Sequence, residues 1–399
     1  MTGRKTKVAV IATHPIQYFT PLYAFLNDTP DIEVTALYLS DFSLRGANDP
    51  GFQQPVAWDI DLLSGYRRQF VGPRWREIEP FGLKRSFVPQ MFEAVRRGGY
   101  DALWLDGHVT AANFFGLAAA RLVGAKVLMR SETHLGLTRK PLKAALRKPL
   151  LSALYSQCDH FLAIGSANRD FYRAMGAPAQ KITLFPYAVD NARFMRTSQL
   201  DPQQRADIRR RLGLSPDRPA VLFVSKLQRR KHPDDLLRAA HRLTDEGLQF
   251  DLVLAGSGEM RDELGTLATQ GPAHVVFPGF VNQQDMPKLL GACDIFVLPS
   301  TDEPWGLIVN EAMCAGLPIV LSEEIGCRRD LLRHGENGFA FPARDIERLA
   351  DALRPLIGDA AMRAAMAQKS REIIDGWDYR RCLDGLRAAL AATSRRESA

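Results

Sequence analysis

Pro299–Gly316 reads PSTDEPWGLIVNEAMCAG, and the apolar run Ile295–Leu298 leads into it. A short apolar run, a turn with Pro and Gly, and an apolar-striped stretch from Gly306–Leu307 onward spell strand, turn, helix. Glu303 falls in the turn and Glu311 about one turn inside the helix. A helix N-terminus exposes N–H groups that attract phosphate, which makes the backbone at Gly306, Leu307 and Ile308 a candidate anion site. A carboxylate accepts two hydrogen bonds from vicinal hydroxyls, as on a ribose or a hexose. This one segment can therefore hold phosphate, sugar and ribose together. Taken alone, it also fits one glutamate in a surface turn and another on a helix.

The same alternation extends in both directions. On the N-terminal side the strand-length runs are Val8–Ala12, Val34–Leu39, Ala102–Leu105, Val127–Met129, Phe161–Ile164 and Ile182–Phe185. In the second half they are Ala220–Val224, Leu252–Ala255, Val275–Phe277, Ile295–Leu298 and Ile319–Leu321. Helix-length amphipathic stretches separate them, the pattern of buried parallel strands in βαβ units. Ser166 can cap a helix that Gly176 stops, and Asn282 can cap Gln283–Ala292. The expectation is an α/β chain with two Rossmann-like layers in series.

Composition bounds the rest. At 399 residues the chain has room for two or three domains, and its 46% apolar and 24% charged content excludes a mainly disordered, collagenous or coiled-coil protein. The net charge of +7 is modest for that length and gives no argument for nucleic acid. The five Cys are scattered and never spaced C-x-x-C, which argues for free thiols in a reducing, cytoplasmic compartment and against a zinc site. The N-terminal MTGRKTKVAVIATHPIQYF reads as a first strand rather than a signal peptide. No window reaches the ~20 apolar residues of a membrane span. Arg139–Tyr155, RKPLKAALRKPLLSALY, is basic with interleaved Leu. It fits a packing helix with a solvated basic face, interrupted at Pro149, and also a peripheral membrane-surface helix.

A second cluster of candidates follows Ala220–Val224. Lys226 and Lys231 stand just past the carboxyl end of that run, where α/β sheets bind ligands, and both could reach a diphosphate. Arg229 and Arg230 are expected to face solvent. Gly256-Ser257-Gly258 follows the next run and permits close backbone approach. Asp59-Ile60-Asp61 has the form of a D-x-D metal pair but follows a poor strand, Val56-Ala57-Trp58, and is read as two polar residues, not as a metal site.

With these residues in place, the second half resembles the nucleotide-binding domain of the retaining glycosyltransferases of family four, which have the GT-B fold. Glu303-x7-Glu311 matches the family's E-x7-E motif. Ser225-Lys226-Leu227 through Lys231 resembles its G-R-L-x-x-x-K phosphate motif, with Lys226 in the place of Arg and His232 in the place of a Gly. Gly256-Ser257-Gly258 resembles the G-x-G turn, Gly279-Phe280-Val281 the turn beside the base, and Gly335–Phe339 the D-G-x-N-G stretch. Ile164–Asp190 is similar to the segment closing the first domain. The turn after the first strand departs from the family's Gly-Gly, reading His14-Pro15-Ile16-Gln17-Tyr18-Phe19.

The resemblance implies two Rossmann-like domains facing across a cleft. Residues 1–190 would form the acceptor domain, 191–207 a linker, 208–376 the nucleotide-sugar domain, 377–392 a helix returning to the first domain, and 393–399 a tail. It implies transfer of a sugar, with retention, from a nucleoside-diphosphate sugar to a saccharide, a lipid-linked or a small-molecule acceptor. Glu303, Lys231, Lys226 and His108 would be catalytic. Glu311, Gly306, Leu307, Ile308, Gly256, Gly258, Phe280 and Val281 would hold the donor, with Glu311 on the ribose. His14, Gln17, Arg130, Glu132 and His134 are candidates for the acceptor side. No metal or cofactor is required, since lysines can take the part of a divalent ion. The alternatives are a GT-B sugar-nucleotide epimerase or hydrolase and a non-catalytic sugar-nucleotide-binding subunit.

Overall fold

The run Val8–Ala12 forms the strand Thr6–Ala12, an interior strand of a seven-stranded sheet. The chain is seen here as a computed structural model. The structure describes residues 4–49, 51–77, 86–107, 110–137 and 141–394, without the side chains of 141–146 and 394. It divides into two compact units, Met1–Ala47, Ile60–Tyr187 and Tyr379–Ala399 in the first, Asn48–Asp59 and Ala188–Asp378 in the second.

In the first unit the strands lie in the order Arg67–Phe70, Ile32–Tyr38, Thr6–Ala12, Ala102–Asp106, Lys126–Arg130, His160–Ala163 and Ile182–Leu184. All pairings are parallel. The central strands carry Val, Ile, Leu and Trp104 on both faces, all out of contact with water. Each such side chain contributes ~1.5–3 kcal/mol on burial, and a sheet covered on both faces selects continuous apolar runs. The edge strand Arg67–Phe70 has no such run, which is why its sequence gives no strand signal.

The second unit has the order His274–Gly279, Asp251–Ala255, Ala220–Val224, Ile295–Leu298, Ile319–Ser322 and Gly338–Phe341, again all parallel. Strand order reverses between Ala220–Val224 and Ile295–Leu298. In open α/β sheets ligands bind outside the carboxyl ends of the strands at such a reversal. The equivalent reversal in the first unit lies between Thr6–Ala12 and Ala102–Asp106.

Several expectations need correction. The supposed linker 191–207 is helical: Asn191–Ser198 and Pro202–Leu212 belong to the second unit and pack against Met286–Ala292. Asp190 caps the first, accepting from the Arg193 N–H. Asp201 and Gln204 form a capping box on the second. Buried Phe194 shows that the polar stretch has an apolar side. The helix Pro141–Tyr155 runs through Pro149 without interruption, with Leu151 and Tyr155 buried on its packed face. Ser166 stands inside its helix rather than capping it, and the helix after Asn282 begins only at Met286. Tyr379–Ser394, the expected returning helix, lies in the first unit against His160–Ala163 and Ile182–Leu184. Gly385 is required there, since a Cβ would meet the Leu184 carbonyl at 2.2 Å.

Candidate active site

Two loops meet where strand order reverses in the second unit. One follows Ala220–Val224 and the other Ile295–Leu298. The Thr301 N–H donates to the Arg230 carbonyl at 2.8 Å, and His232 Nε2 lies 2.9 Å from Thr301 Oγ1. This stitching brings the Lys231 ammonium onto the Glu303 carboxylate in a direct, buried ion pair. Arg230 Nη1 stands 3.8 Å from the same oxygen, so it turns toward the site rather than away from it. Burial pushes the Lys231 pKa below that of an ordinary lysine, with the Glu303 charge working against the shift. A buried pair of this kind is a poor source of net stability, because desolvation offsets most of the attraction.

The backbone explains one departure from the family motif. His232 has φ of 49° at the entry to the helix Pro233–Asp245, a left-handed conformation that suits glycine. Histidine tolerates it here while its ring bonds Thr301. The two glycines of Gly256-Ser257-Gly258 are required by the packing of their own turn. A Cβ on Gly256 would come within 1.9 Å of the Ser225 carbonyl oxygen, and one on Gly258 within 2.7 Å of the Leu227 carbonyl. The Leu227 N–H donates to the Ser257 carbonyl at 2.9 Å. These glycines press their turn onto the loop that carries Lys226, and so act by positioning it.

Gly306 has φ of 90° and is the N-cap of the helix Leu307–Cys314. Leu307 is buried and Ile308 partly so. Trp305 anchors this entry, donating from Nε1 to Asn310 Oδ1 at 3.0 Å and packing on Trp377. Glu311 points into the unit and is wholly buried. Glu303 is almost so, at 8%. Phe280 and Val281 follow His274–Gly279 and are partly buried; Phe280 meets Phe52 edge-on at 5.0 Å and Trp58 at 6.0 Å. Phe52 and Trp58 come from the N-terminal half of the chain, and sequence reading gave them no place in this site.

In the first unit, Arg130 ends the strand Lys126–Arg130 and is buried to 1%. Its guanidinium carbon lies 4.5 Å from the Phe19 ring centre and 4.4 Å from that of Tyr187. Nη1 donates to Asp106 at 2.7 Å and approaches Glu132 at 3.3 Å. Burial opposes the Arg130 charge, but the two carboxylates prevail and hold it protonated. Burial pushes the Glu132 carboxyl up, and Arg130 resists. Asp106, Phe19 and Tyr187 were not expected in this cluster; Asp106 stands two residues before His108. His134 is buried and accepts the Gly136 N–H at Nδ1, 3.1 Å, which makes it a turn-former. His14 lies 3.0 Å from the Thr13 hydroxyl and packs on Phe42, and Gln17 sits partly buried in the next turn. His108 lies outside the described residues.

Asp59 belongs to the second unit, where it accepts the Gln284 N–H at 3.1 Å. Asp61 belongs to the first and accepts the N–H groups of Leu63 and Ser64. Each therefore has its own local work. Among the described residues no group of three His, Cys, Asp or Glu could hold a metal ion.

Two sequence families tile the chain. The one described as "Glycosyl transferases group 1" matches residues 204–373, and the "Glycosyl transferase 4-like domain" matches 31–188. The chain belongs to the GT-B glycosyltransferases. A GDP-mannose-dependent alpha-(1-6)-phosphatidylinositol monomannoside mannosyltransferase of Mycobacterium tuberculosis is 29% identical to this glycosyltransferase over 86% of the chain and 94% of its own length. An uncharacterized glycosyltransferase of Methanocaldococcus jannaschii is 29% identical, and there the match spans 55% of each protein. Among solved structures, Anabaena HepE in complex with UDP and glucose covers 97% of the chain and all of its own, at 18% identity and a TM-score of 0.72. Sucrose-phosphate synthase from Thermosynechococcus elongatus gives the same TM-score at 19% identity, over 99% of the chain and all of its own. At such identities the two structures speak for the fold alone.

Proposed function

We propose that the glycosyltransferase moves a sugar, with retention, from a nucleoside-diphosphate sugar held in the second unit to a saccharide or lipid-linked acceptor. The observation that carries the reading is the buried Lys231–Glu303 pair at the strand reversal, with Lys226 on the same loop. When the anomeric C–O bond breaks, the electron pair and negative charge go to the departing diphosphate. Lys226, Lys231 and the N–H groups around Leu307 and Ile308 are preorganised donors for that charge, which is where such donors lower a barrier most. Glu303 would accept hydroxyls of the transferred sugar and Glu311 those of the ribose, with Phe280 and Val281 beside the base. Attack from the leaving-group face, with the acceptor hydroxyl proton passing to the departing phosphate oxygen, balances the step with no side-chain nucleophile. The lysines take the part of a metal, so neither a divalent ion nor a cofactor enters.

On the acceptor side we infer roles for Arg130, Glu132 and Asp106, with His14, Gln17, His108 and His134 as further candidates. The mannosyltransferase relative acts on a phosphatidylinositol monomannoside by its name, which supports a lipid-linked acceptor. No helix among the described residues is long and apolar enough to cross a membrane. Arg147, expected on the basic face, instead lies over the Phe171 ring at 4.4 Å, while Lys148 and Leu150 are exposed. Arg139, Lys140 and the Lys143 side chain, also part of that basic segment, lie outside the described residues. All five cysteines are free and buried, which supports a cytoplasmic setting.

The test is a panel of UDP-, GDP- and ADP-sugars with candidate glycan and glycolipid acceptors. Release of nucleoside diphosphate is followed, and the product's anomeric configuration is read by NMR. An α-donor giving an α-product supports the reading; an inverted product, or hydrolysis that no acceptor accelerates, contradicts it.

A further inference from the structure

Residues 48–59 leave the first unit after Ala47 and return to it at Ile60, yet they pack as part of the second. They begin as a tight hairpin in which Asn48 pairs with Pro55 and Asp49 with Gln54. The Asp49 carboxylate closes the turn, accepting the Gly51 N–H at 2.8 Å and that of Phe52 at 3.2 Å. The segment then crosses the loops that follow three adjacent strands. Lys226 Nζ donates to Asp49 Oδ1 at 2.8 Å and lies 4.6 Å from the Phe52 ring centre. Ser257 Oγ donates to the Phe52 carbonyl at 3.0 Å. Asn282 Nδ2 donates to the Ala57 carbonyl at 2.8 Å, and Gln284 holds Asp59. Gly51 is shaped for the contact: a Cβ there would meet Lys226 Cδ and Nζ at 2.7 Å.

Lys226 is thus held by an internal carboxylate, and Phe280 is covered by Phe52 and Trp58. Both residues belong to the donor site proposed above. A diphosphate oxygen on Lys226 would bring a second anion to one ammonium. Two anions about 4 Å apart repel, so the ammonium cannot satisfy both well. We propose that residues 48–59 are a clip on the donor site that a nucleoside diphosphate displaces, with Asp49 standing on Lys226 where a donor phosphate oxygen binds. The clip rests on the donor reading and adds its regulation: the free site is self-occupied, and donor arrival exchanges carboxylate for phosphate.

Asp49→Asn keeps the Oδ1 that closes the hairpin and removes the charge that competes. Calorimetric titration with UDP, GDP and ADP compares wild type, Asp49→Asn, Lys226→Ala and the double variant. The nucleotide that binds should do so about two- to fivefold more tightly to Asp49→Asn, the range of a partly exposed ion pair. It should bind about tenfold more weakly to Lys226→Ala. Asp49→Asn should add nothing on the Lys226→Ala background. Hydrogen exchange on the wild type gives a second reading that needs no variant: the peptide covering 48–59 should exchange faster with the diphosphate than without it. Unchanged or weaker binding to Asp49→Asn, or slower exchange in that peptide, overturns the clip while a Lys226→Ala loss leaves the donor site standing. If no diphosphate binds any of the proteins, the donor reading itself fails and the clip with it.

Discussion

The two sheets reverse strand order at equivalent places and carry opposite chemistry there or at the end of the next strand. The second unit gathers three cations, Lys226, Arg230 and Lys231, around the carboxylates of Asp49 and Glu303. The first places one cation, Arg130, between two carboxylates, Asp106 and Glu132. A surplus of positive charge suits an anionic leaving group. A surplus of carboxylate around one arginine suits a hydroxylated ligand, which needs acceptors for its O–H groups. On the proposed reading the same topology is used twice, and the side chains at the strand ends set what each place would hold.

Lys231→Ala should break the comparison on the cationic side. Losing one preorganised contact to a developing charge costs ~3–4 kcal/mol, about 10²–10³ in kcat. Tm should fall because Glu303 loses its buried partner, circular dichroism should still show a folded protein at the assay temperature, and a near-normal kcat would remove Lys231 from the chemistry. On the other side, Arg130→Ala leaves Asp106 and Glu132 without their counterion. Breaking a buried pair by removing one partner costs about 3–5 kcal/mol, so Tm should drop by several degrees. Acceptor KM should rise while donor KM stays near wild type. A rise in donor KM alone would mean the two sites have been assigned the wrong way round.

The pair Glu303 and Glu311 sharpens the account within the second unit. Ribose does not change during the reaction, so Glu311→Gln should raise donor KM and leave kcat nearly untouched. The sugar ring gains positive charge in the transition state, so Glu303→Gln should act mainly on kcat. Each effect should be roughly ten- to a hundredfold. The same pattern in both variants would undo the division of labour. Acidity gives a smaller effect. Lys231 must stay protonated to serve the phosphate, and burial lowers its pKa from the ordinary 10.5. The alkaline fall of kcat/KM, which reports the free enzyme, should therefore come below pH 10.5. The expected effect of EDTA is smallest of all. Activity should survive it, whereas complete loss restored by Mn²⁺ or Mg²⁺ would show that the lysines do not replace a metal.

What the sequence disclosed follows from how far each signal reaches. Buried parallel strands are continuous apolar runs, so Ala220–Val224 and Ile295–Leu298 were visible with their boundaries. Edge strands lack that requirement; Arg67–Phe70 and Gly338–Phe341 were not seen as strands for this reason. The helices within 191–207 did leave a local trace, since Asp201 with Gln204 is a capping box, but their polar surface outweighed it. Gly256 and Gly258 signalled that something comes close to their turn, but the sequence did not show that the loop of Ser225 and Leu227 is one such neighbour. Lys226 and Lys231 could be placed at a strand end, but the Lys231–Glu303 pair spans 72 residues and the Lys226–Asp49 pair 177. No local pattern encodes contacts of that range. Residues 48–59 have no periodicity to announce that they would cover a site built from the other half of the chain.

The central claim is that the cationic loop of the second unit holds a nucleoside diphosphate, and Lys231 is its most buried cation. Titration of UDP, GDP and ADP into wild type and Lys231→Met by calorimetry tests it directly, with no acceptor needed. Methionine keeps an unbranched stem as far as Cε and removes the charged ammonium. The account predicts that at least one of the three diphosphates binds the wild type and binds Lys231→Met about ten- to a hundredfold more weakly, the worth of a hydrogen bond to a charged group. Equal affinity for the two proteins, or no binding of any diphosphate to the wild type, would contradict it.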